Sequence, residues 1–385
     1  MANIIDKGQI TLQGGAVMSW NITDDEVLTI SGALWGGSVT VGKDITSEAK
    51  FRHLVLDESV QAIGIFNFSD WDYIEEVTLP SSIKCIEHAA FCGCKNLKRV
   101  NLSDGLEIIG ADSFFGCESL KTIILPATLK KIYEYAFAGC VSLQEIVIPE
   151  GVTIIGEEAF RDCTNLRKIV LPSSITEIGC NVFLGCTSLH KIVIPESVTS
   201  IGSSFSGCTG LQEVVISSSV TEIGDYAFSD CIDLREVVIP EGVTRIGCWA
   251  FDGCTGLRRI VIPSTITTID EEAFRDCTSL CEVVISEGVR SIGFRAFGDC
   301  INLCEIVIPE GIKIDGGAFE RCSSLEIVHL PAVMSIVSIL SPFSGCDNLK
   351  AIYVPKNKVD YYKKRFPADM HWLIVEEGVD LPVKP

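Results

Sequence analysis

Phe137-Ala138-Gly139-Cys140-Val141-Ser142-Leu143-Gln144-Glu145-Ile146-Val147-Ile148-Pro149-Glu150-Gly151-Val152-Thr153-Ile154-Ile155-Gly156-Glu157-Glu158-Ala159 is one period of this chain, and Phe160 begins the next. Its cysteine recurs at Cys94, Cys117, Cys140, Cys163, Cys186, Cys208, Cys231, Cys254, Cys277, Cys300, Cys322 and Cys346. Eight of the eleven gaps are 23 residues, two are 22 and one is 24. A phenylalanine stands three residues before each of these cysteines, from Phe91 to Phe343, and a leucine three residues after, from Leu97 to Leu349. An apolar-x-apolar triplet follows, closed in most units by proline, then a further apolar residue and an Ile-Gly pair, as in Val152 and Ile155-Gly156. Phe68 and Trp71 carry the register backwards with tryptophan in the cysteine slot, and Leu54-Val55-Leu56 lies one unit earlier still. The last unit is at Ile352-Tyr353-Val354, which makes fourteen in all.

Periodicity of this kind decides the architecture before any local propensity does. One 23-residue unit offers too few apolar positions to fold alone, so neighbours must stack and bury them in one continuous core. The triplets are rich in valine and isoleucine, which favour strands, and stop at proline, which removes a ladder donor. One short strand per unit, always in the same chain direction, predicts a parallel sheet on one face. At about 4.8 Å per strand it would extend roughly 65 Å. The Phe-x-x-Cys segment returns on the other side as a turn or short helical piece.

The unit Cys-x-x-Leu-x-x-Ile-x-Ile-Pro-x-x-Val-x-x-Ile-Gly-x-x-Ala-Phe resembles the BspA-like class of leucine-rich repeats over roughly residues 49–355. The class is common in surface proteins of host-associated bacteria and in some protists. The resemblance implies a curved solenoid, a right-handed superhelix, and a role in adhesion or protein recognition. It names no ligand, because the class shares a scaffold and not a site.

The ends lack the repeat. Residues 1–48 are expected to form a β cap: Val17 to Ile22 alternates, with Trp20 and Ile22 on one face, Asp24-Asp25 forms a turn, and Val27-Leu28-Thr29-Ile30 returns as a second strand. This is similar to the hairpin that precedes the repeats in many bacterial relatives, except that Glu26 stands where glycine is usual. Residues 356–385 are expected to form a helical cap. Asn357 is placed to cap a short helix that Pro367 ends, with Val359, Tyr362 and Phe366 covering the last unit. Lys358, Lys363, Lys364 and Arg365 would lie on its solvated face.

Composition removes several function classes. Of the 385 residues, 31 are lysine or arginine and 51 are aspartate or glutamate, a net charge of −20. A surface that acidic repels phosphate backbones, so nucleic-acid binding is not expected. No apolar run approaches the roughly 18 residues a membrane helix needs. Met1-Ala2-Asn3-Ile4-Ile5-Asp6 lacks the basic and apolar regions of a signal peptide. The chain therefore either stays inside the cell or begins after processing.

Motifs that would carry catalysis are weak. Gly37-Ser38-Val39-Thr40-Val41-Gly42-Lys43 resembles a phosphate-binding loop, but Asp44 follows where a magnesium-binding hydroxyl belongs. Eighteen cysteines suggest zinc, yet no Cys-x-x-Cys knuckle exists; Cys92 and Cys94 are one residue apart, and the ladder cysteines read as small core residues. His53, His88, His190, His329 and His371 are scattered, and Glu157-Glu158 and Glu271-Glu272 recur as turn residues. No cofactor, metal or catalytic residue is assigned. A hydrolase or metal-dependent enzyme would need a polar cluster that breaks the repeat pattern.

The expected binding surface is the sheet face. Alternation turns the middle residue of each triplet outward, which gives an apolar stripe of Ile124, Val147, Val170, Val193, Val215, Val238, Val261, Val284 and Val307. Two positions earlier runs a charged row of Glu145, Lys168, Lys191, Glu213, Glu236, Arg259, Glu282 and Glu305, and glutamates follow several of the prolines. An apolar stripe rimmed by charge is how a partner-binding surface looks. Valines also stack well on a sheet with no partner at all. Cys281 and Cys304 occupy equivalent strand-entrance positions in adjacent units, where others carry Lys98, Arg167, Arg235 and Arg258. Their separation of about 5 Å lies within disulfide range, so they are the candidate thiol pair. The reading is a monomeric, non-enzymatic binding or adhesion protein of the cell surface that recognises a protein or glycan. Its alternative is an intracellular interaction scaffold.

Overall fold

The computed structural model describes residues 2–11, 17–32, 45, 50–336 and 341–381. The phosphate-loop-like segment at Gly37–Lys43 lies outside the described residues. The chain forms two compact units, Met1–Leu189 and His190–Pro385.

In the first unit six triplet strands, His53–Leu56, Glu76–Thr78, Arg99–Asn101, Thr122–Ile123, Glu145–Val147 and Lys168–Val170, form one parallel ladder in repeat register. Glu145 faces Lys168 and Val147 faces Val170, each 23 positions on. The hairpin Val17–Thr23 and Val27–Gly32 caps this sheet, and its second strand pairs in parallel with His53–Leu56. Glu26 adopts φ 65°, the left-handed conformation that glycine takes freely. A further strand, Ile4–Thr11, pairs antiparallel to Val17–Thr23 and was not expected. It crosses the Trp20 ring at Gly8, where a Cβ would stand 2.6 Å from the indole.

The second unit carries eight triplet strands: Lys191–Val193, Glu213–Val215, Glu236–Val237, Arg259–Ile262, Glu282–Ile285, Glu305–Val307, Ile327–His329 and Ala351–Val354. Ile374–Glu376 adds one more parallel strand after the last of them. The two units are therefore parallel-sheet repeat solenoids with little helix, as the periodicity predicts. Each also has a second parallel ladder that the triplets alone did not foretell, built from the Ile-Gly segments. It runs through Cys85–Ile86, Ile108–Ile109, Lys131–Ile132 and Ile154–Ile155 in the first unit. In the second it runs from Ser200–Ile201 to Ser335–Ile336.

The core is a column of rings. From Phe68 to Phe183, successive phenylalanines of the first unit stack at 5.3–5.8 Å with interplanar angles of 4–14°. In the second unit the column from Phe205 to Phe343 has spacings of 5.1–5.6 Å, and Phe366 of the cap extends it at 6.1 Å. Trp71 in the cysteine slot is buried against Phe68. The ladder cysteines are more than small apolar fillers. Phe137 O accepts the Cys140 amide at 3.1 Å and the Cys163 thiol of the next rung at 3.2 Å, so both lone pairs of a buried carbonyl are used. Cys140 does the same for Phe114, and Cys277 for Phe251. Burial pushes the Cys140 thiol up to about 12, which keeps it a protonated donor.

Three expectations about the C-terminal cap are corrected. Asn357 does not cap the C-terminal helix: it sits at φ 62° and its N–H goes to Glu376 at 2.8 Å, while the helix Val359–Lys363 starts from Lys358 with no side-chain cap. A cap residue needs extended backbone, which the turn after Pro355 denies it. That helix ends before Pro367, which instead precedes the 3-10 turn Ala368–Leu373. Tyr362 and Phe366 are buried as expected, but Lys358 and Lys363 are half-buried. Lys358 and Arg365 lie over the Tyr361 ring, so the four cations do not form one open face.

A residue fewer in the two 22-residue units should alter the return turn and leave the strands in register. At Cys208 this holds: the left-handed residue that Tyr226 provides one unit later has no counterpart, and Ser204 N–H instead reaches Gly202 O at 2.7 Å. Lys191 still pairs with Glu213. At Cys322 the return turn is unchanged, since Gly317 at φ 67° holds the place of Arg295 at φ 49°. The missing residue lies between Ile312 and Ile314, ahead of Lys313–Ile314, which stays paired with Ser291–Ile292.

Candidate functional site

The triplet alternation puts the leucine-rich interior on one side and the valine stripe on the other. In the first unit Ile124, Val147 and Val170 are 85, 60 and 43% exposed, although Ile146 and Ile169 between them are buried. In the second unit Val193, Val215, Val238, Val261, Val284 and Val307 are all 37–69% exposed, Val238 most of all. The charged row beside them is partly self-paired: Lys191 meets Glu213 at 2.7 Å and Arg259 meets Glu282 at 2.8 Å. Such exposed pairs contribute little to stability, and each holds a charge on the face.

Among the described residues the triplet ladder of the second unit is interrupted at two places on this face, between Glu236–Val237 and Arg259–Ile262 and between Glu282–Ile285 and Glu305–Val307. At the first, Glu236–Val237 pairs back to Glu213–Val215, and Arg259–Ile262 pairs forward to Glu282–Ile285; the two strands do not pair with each other, and their chains meet just before them, where Arg258 N–H reaches Arg235 O at 3.5 Å. A cleft of about 470 Å³ lies along this seam. Its walls include Arg235, Glu236, Val238, Arg258, Val261 and Pro263. Arg235 and Arg258 stand at the same position of adjacent units, so two like charges lie one rung apart at this end of the cleft. Arg259 turns away to Glu282, and among the described residues Arg235 and Arg258 have no ion pair. Sequence reading placed both arginines at the strand entrance but not the opening between them.

Cys281 and Cys304 are both exposed free thiols. Cys281 Sγ turns to Arg258 O of the preceding unit at 3.4 Å, and Cys304 Sγ to Asn302 O of its own at 3.5 Å.

One polar cluster escaped the sequence reading. Asp225, Cys248 and Asp270 bring two carboxylates and a thiol within 4.8 Å of one another. The signal was present, since each follows a ladder isoleucine or Ile-Gly pair in three consecutive units, but it is invisible to a search for paired cysteines. Arg245 already supplies the cation there, meeting Glu222 at 2.7 Å, Asp225 at 3.0 Å and Asp270 at 2.6 Å. Burial, then the charges of Asp225 and Asp270, raises the Cys248 thiol and weakens it as a ligand. The arrangement is that of an ion-pair cluster. The histidines meet separate partners: His53 Thr78, His88 Asp112, and His329 Glu305 and Glu377.

Comparison with known proteins agrees with the repeat. The profile of the BspA type leucine-rich repeat region (6 copies) matches residues 39–153, 130–258 and 250–368. A leucine-rich repeat protein from Bacteroides ovatus is similar at 27% identity over 99% of both chains, with a TM-score of 0.68. A leucine rich cell surface protein from Faecalibacterium prausnitzii is similar at 26% identity over 93% of this chain and 97% of that one, with a TM-score of 0.55. A leucine-rich repeat protein from Eubacterium ventriosum shares the fold at 23% identity over 82% of this chain and 95% of that one, with a TM-score of 0.52. No curated protein matches. With repeat, ladder and profile in agreement over most of its length, the chain belongs to the BspA type leucine-rich repeat family.

Proposed function

We propose that this chain is a non-enzymatic binding protein of a bacterial cell surface, which recognises a protein or glycan partner through its sheet face. The observation that carries the reading is the run of exposed valines from Val193 to Val307 in the second unit, bordered by charge. A soluble domain rarely leaves so regular an apolar row open to water unless something covers it. The relative from Faecalibacterium prausnitzii, a cell surface protein, supports the location. No helix among the described residues is long and apolar enough to cross a membrane.

The test begins with capture of immobilised host matrix proteins, bacterial surface proteins and glycans. Binding is then measured with aspartate substituted together at Val193, Val215 and Val238. All three positions point to solvent, so the variant should keep its melting temperature and lose the partner. Normal binding by a folded triple variant would place the site elsewhere.

A further inference from the structure

We infer that the cleft between Glu236–Val237 and Arg259–Ile262 is a carboxylate subsite, which takes an acidic side chain of a peptide segment that also carries apolar residues. The inference deepens the proposed function and rests on it. Arg235 and Arg258 project from equivalent positions of adjacent units, with Arg258 N–H at 3.5 Å from Arg235 O. Neither guanidinium has an ion pair among the described residues, so both are open to an outside anion. Two neighbouring guanidiniums repel, and an anion set between them relieves that repulsion. Their planar forks match a carboxylate with two hydrogen bonds each.

The rest of the cleft selects among anions. Val238, at 69% exposure, and Val261 and Pro263 line it beside the arginines and offer an apolar seat for the next side chain. No aromatic ring lines it on which a sugar face could stack, which favours a peptide over an acidic glycan. Glu236 is the opposing charge in the wall. Glu241 lies at the far end beyond Pro240, where Ser264 hydrogen-bonds it at 3.4 Å. Arg259 also lines the cleft but is offset by Glu282, so an anion at the arginine end is attracted mainly by Arg235 and Arg258 and repelled by Glu236.

The probe is a fluorescein-labelled pentapeptide of alternating glutamate and leucine, followed by fluorescence polarisation at low salt. Saturable binding is expected. R235Q/R258Q should weaken it about tenfold or more, the loss typical of charged hydrogen bonds to a carboxylate. E236Q should tighten it. R167Q/K168Q, which removes as much charge from the first unit, should leave it unchanged, as should the melting temperature of each variant. Four results would overturn the inference: no saturable binding, equal affinity for the glutamine version of the peptide, an equal loss in R167Q/K168Q, or binding of sialyllactose or oligoglucuronate in place of the peptide. If the peptide fails while the valine triple variant still loses a captured partner, only the subsite is wrong. If both fail, the sheet-face reading falls with it.

Discussion

Phe228→Ala removes a ring that is fully buried and stacked between Phe205 at 5.5 Å and Phe251 at 5.3 Å. Truncating a core phenylalanine costs about 3–5 kcal/mol, and the spread reflects how far the site can collapse. Here it can collapse little. Phe228 N–H is held by Ala250 O at 2.8 Å, and the Cys254 thiol holds Phe228 O at 3.1 Å, so the turn cannot settle into the vacated space. Two stacked pairs are lost as well, each of about 0.5–1.5 kcal/mol and partly included in the first figure. The expected cost is therefore near the upper end, about 4–5 kcal/mol. Urea unfolding followed by circular dichroism and tryptophan fluorescence measures it. Trp249, stacked on Tyr226 at 5.0 Å, reports on the neighbouring rung. Because repeat stacks unfold by neighbouring units, hydrogen exchange should show amides around residues 226–252 opening first. Phe115→Ala, at a residue 42% exposed, is the control and should cost less than about 1 kcal/mol. A Phe228→Ala cost below about 1 kcal/mol, or one equal to the control, would refute the ring column as the core.

Thiol accessibility gives a second check. Native alkylation should modify Cys180, Cys281 and Cys304 first and the ladder cysteines only after unfolding, for a total of eighteen. Sixteen, with a peptide crosslinked between Cys281 and Cys304, would show that the two exposed thiols pair. Asp252 supplies a pH test. Burial pushes it up to about 6 from an ordinary 3.8 despite Arg275 at 2.9 Å. A raised carboxyl favours the protonated fold, so its contribution is full below about pH 4 and is lost as pH rises through 6. Asp252→Asn, which stays neutral, should therefore gain in melting temperature relative to the parent between pH 4 and pH 7.5, and a constant difference would count against the burial argument.

The repeat, its register and the inward-facing side chains were legible from the residues alone. Those follow from spacing: a phenylalanine, a cysteine and a leucine at fixed offsets can be buried only by stacking like on like, and a period of two along each triplet turns every middle valine outward. The hairpin cap was legible for the same reason, since Trp20 and Ile22 alternate with polar residues. What escaped was whatever depends on contacts between units. The second ladder rests on two-residue strands too short to show a pattern. The strand Ile4–Thr11 is placed by the accident that Gly8 clears the Trp20 ring. Asn357 has the chemistry of a helix cap, but the turn after Pro355 fixes its backbone in the wrong region. The double acceptor role of the phenylalanine carbonyls requires the next rung's thiol to be in place. The opening beside Arg235 and Arg258, and the meeting of Asp225, Cys248 and Asp270 around Arg245, follow from which charges lie one rung apart and which partner each chooses. That choice is a competition among neighbours in space, which no one-dimensional pattern records.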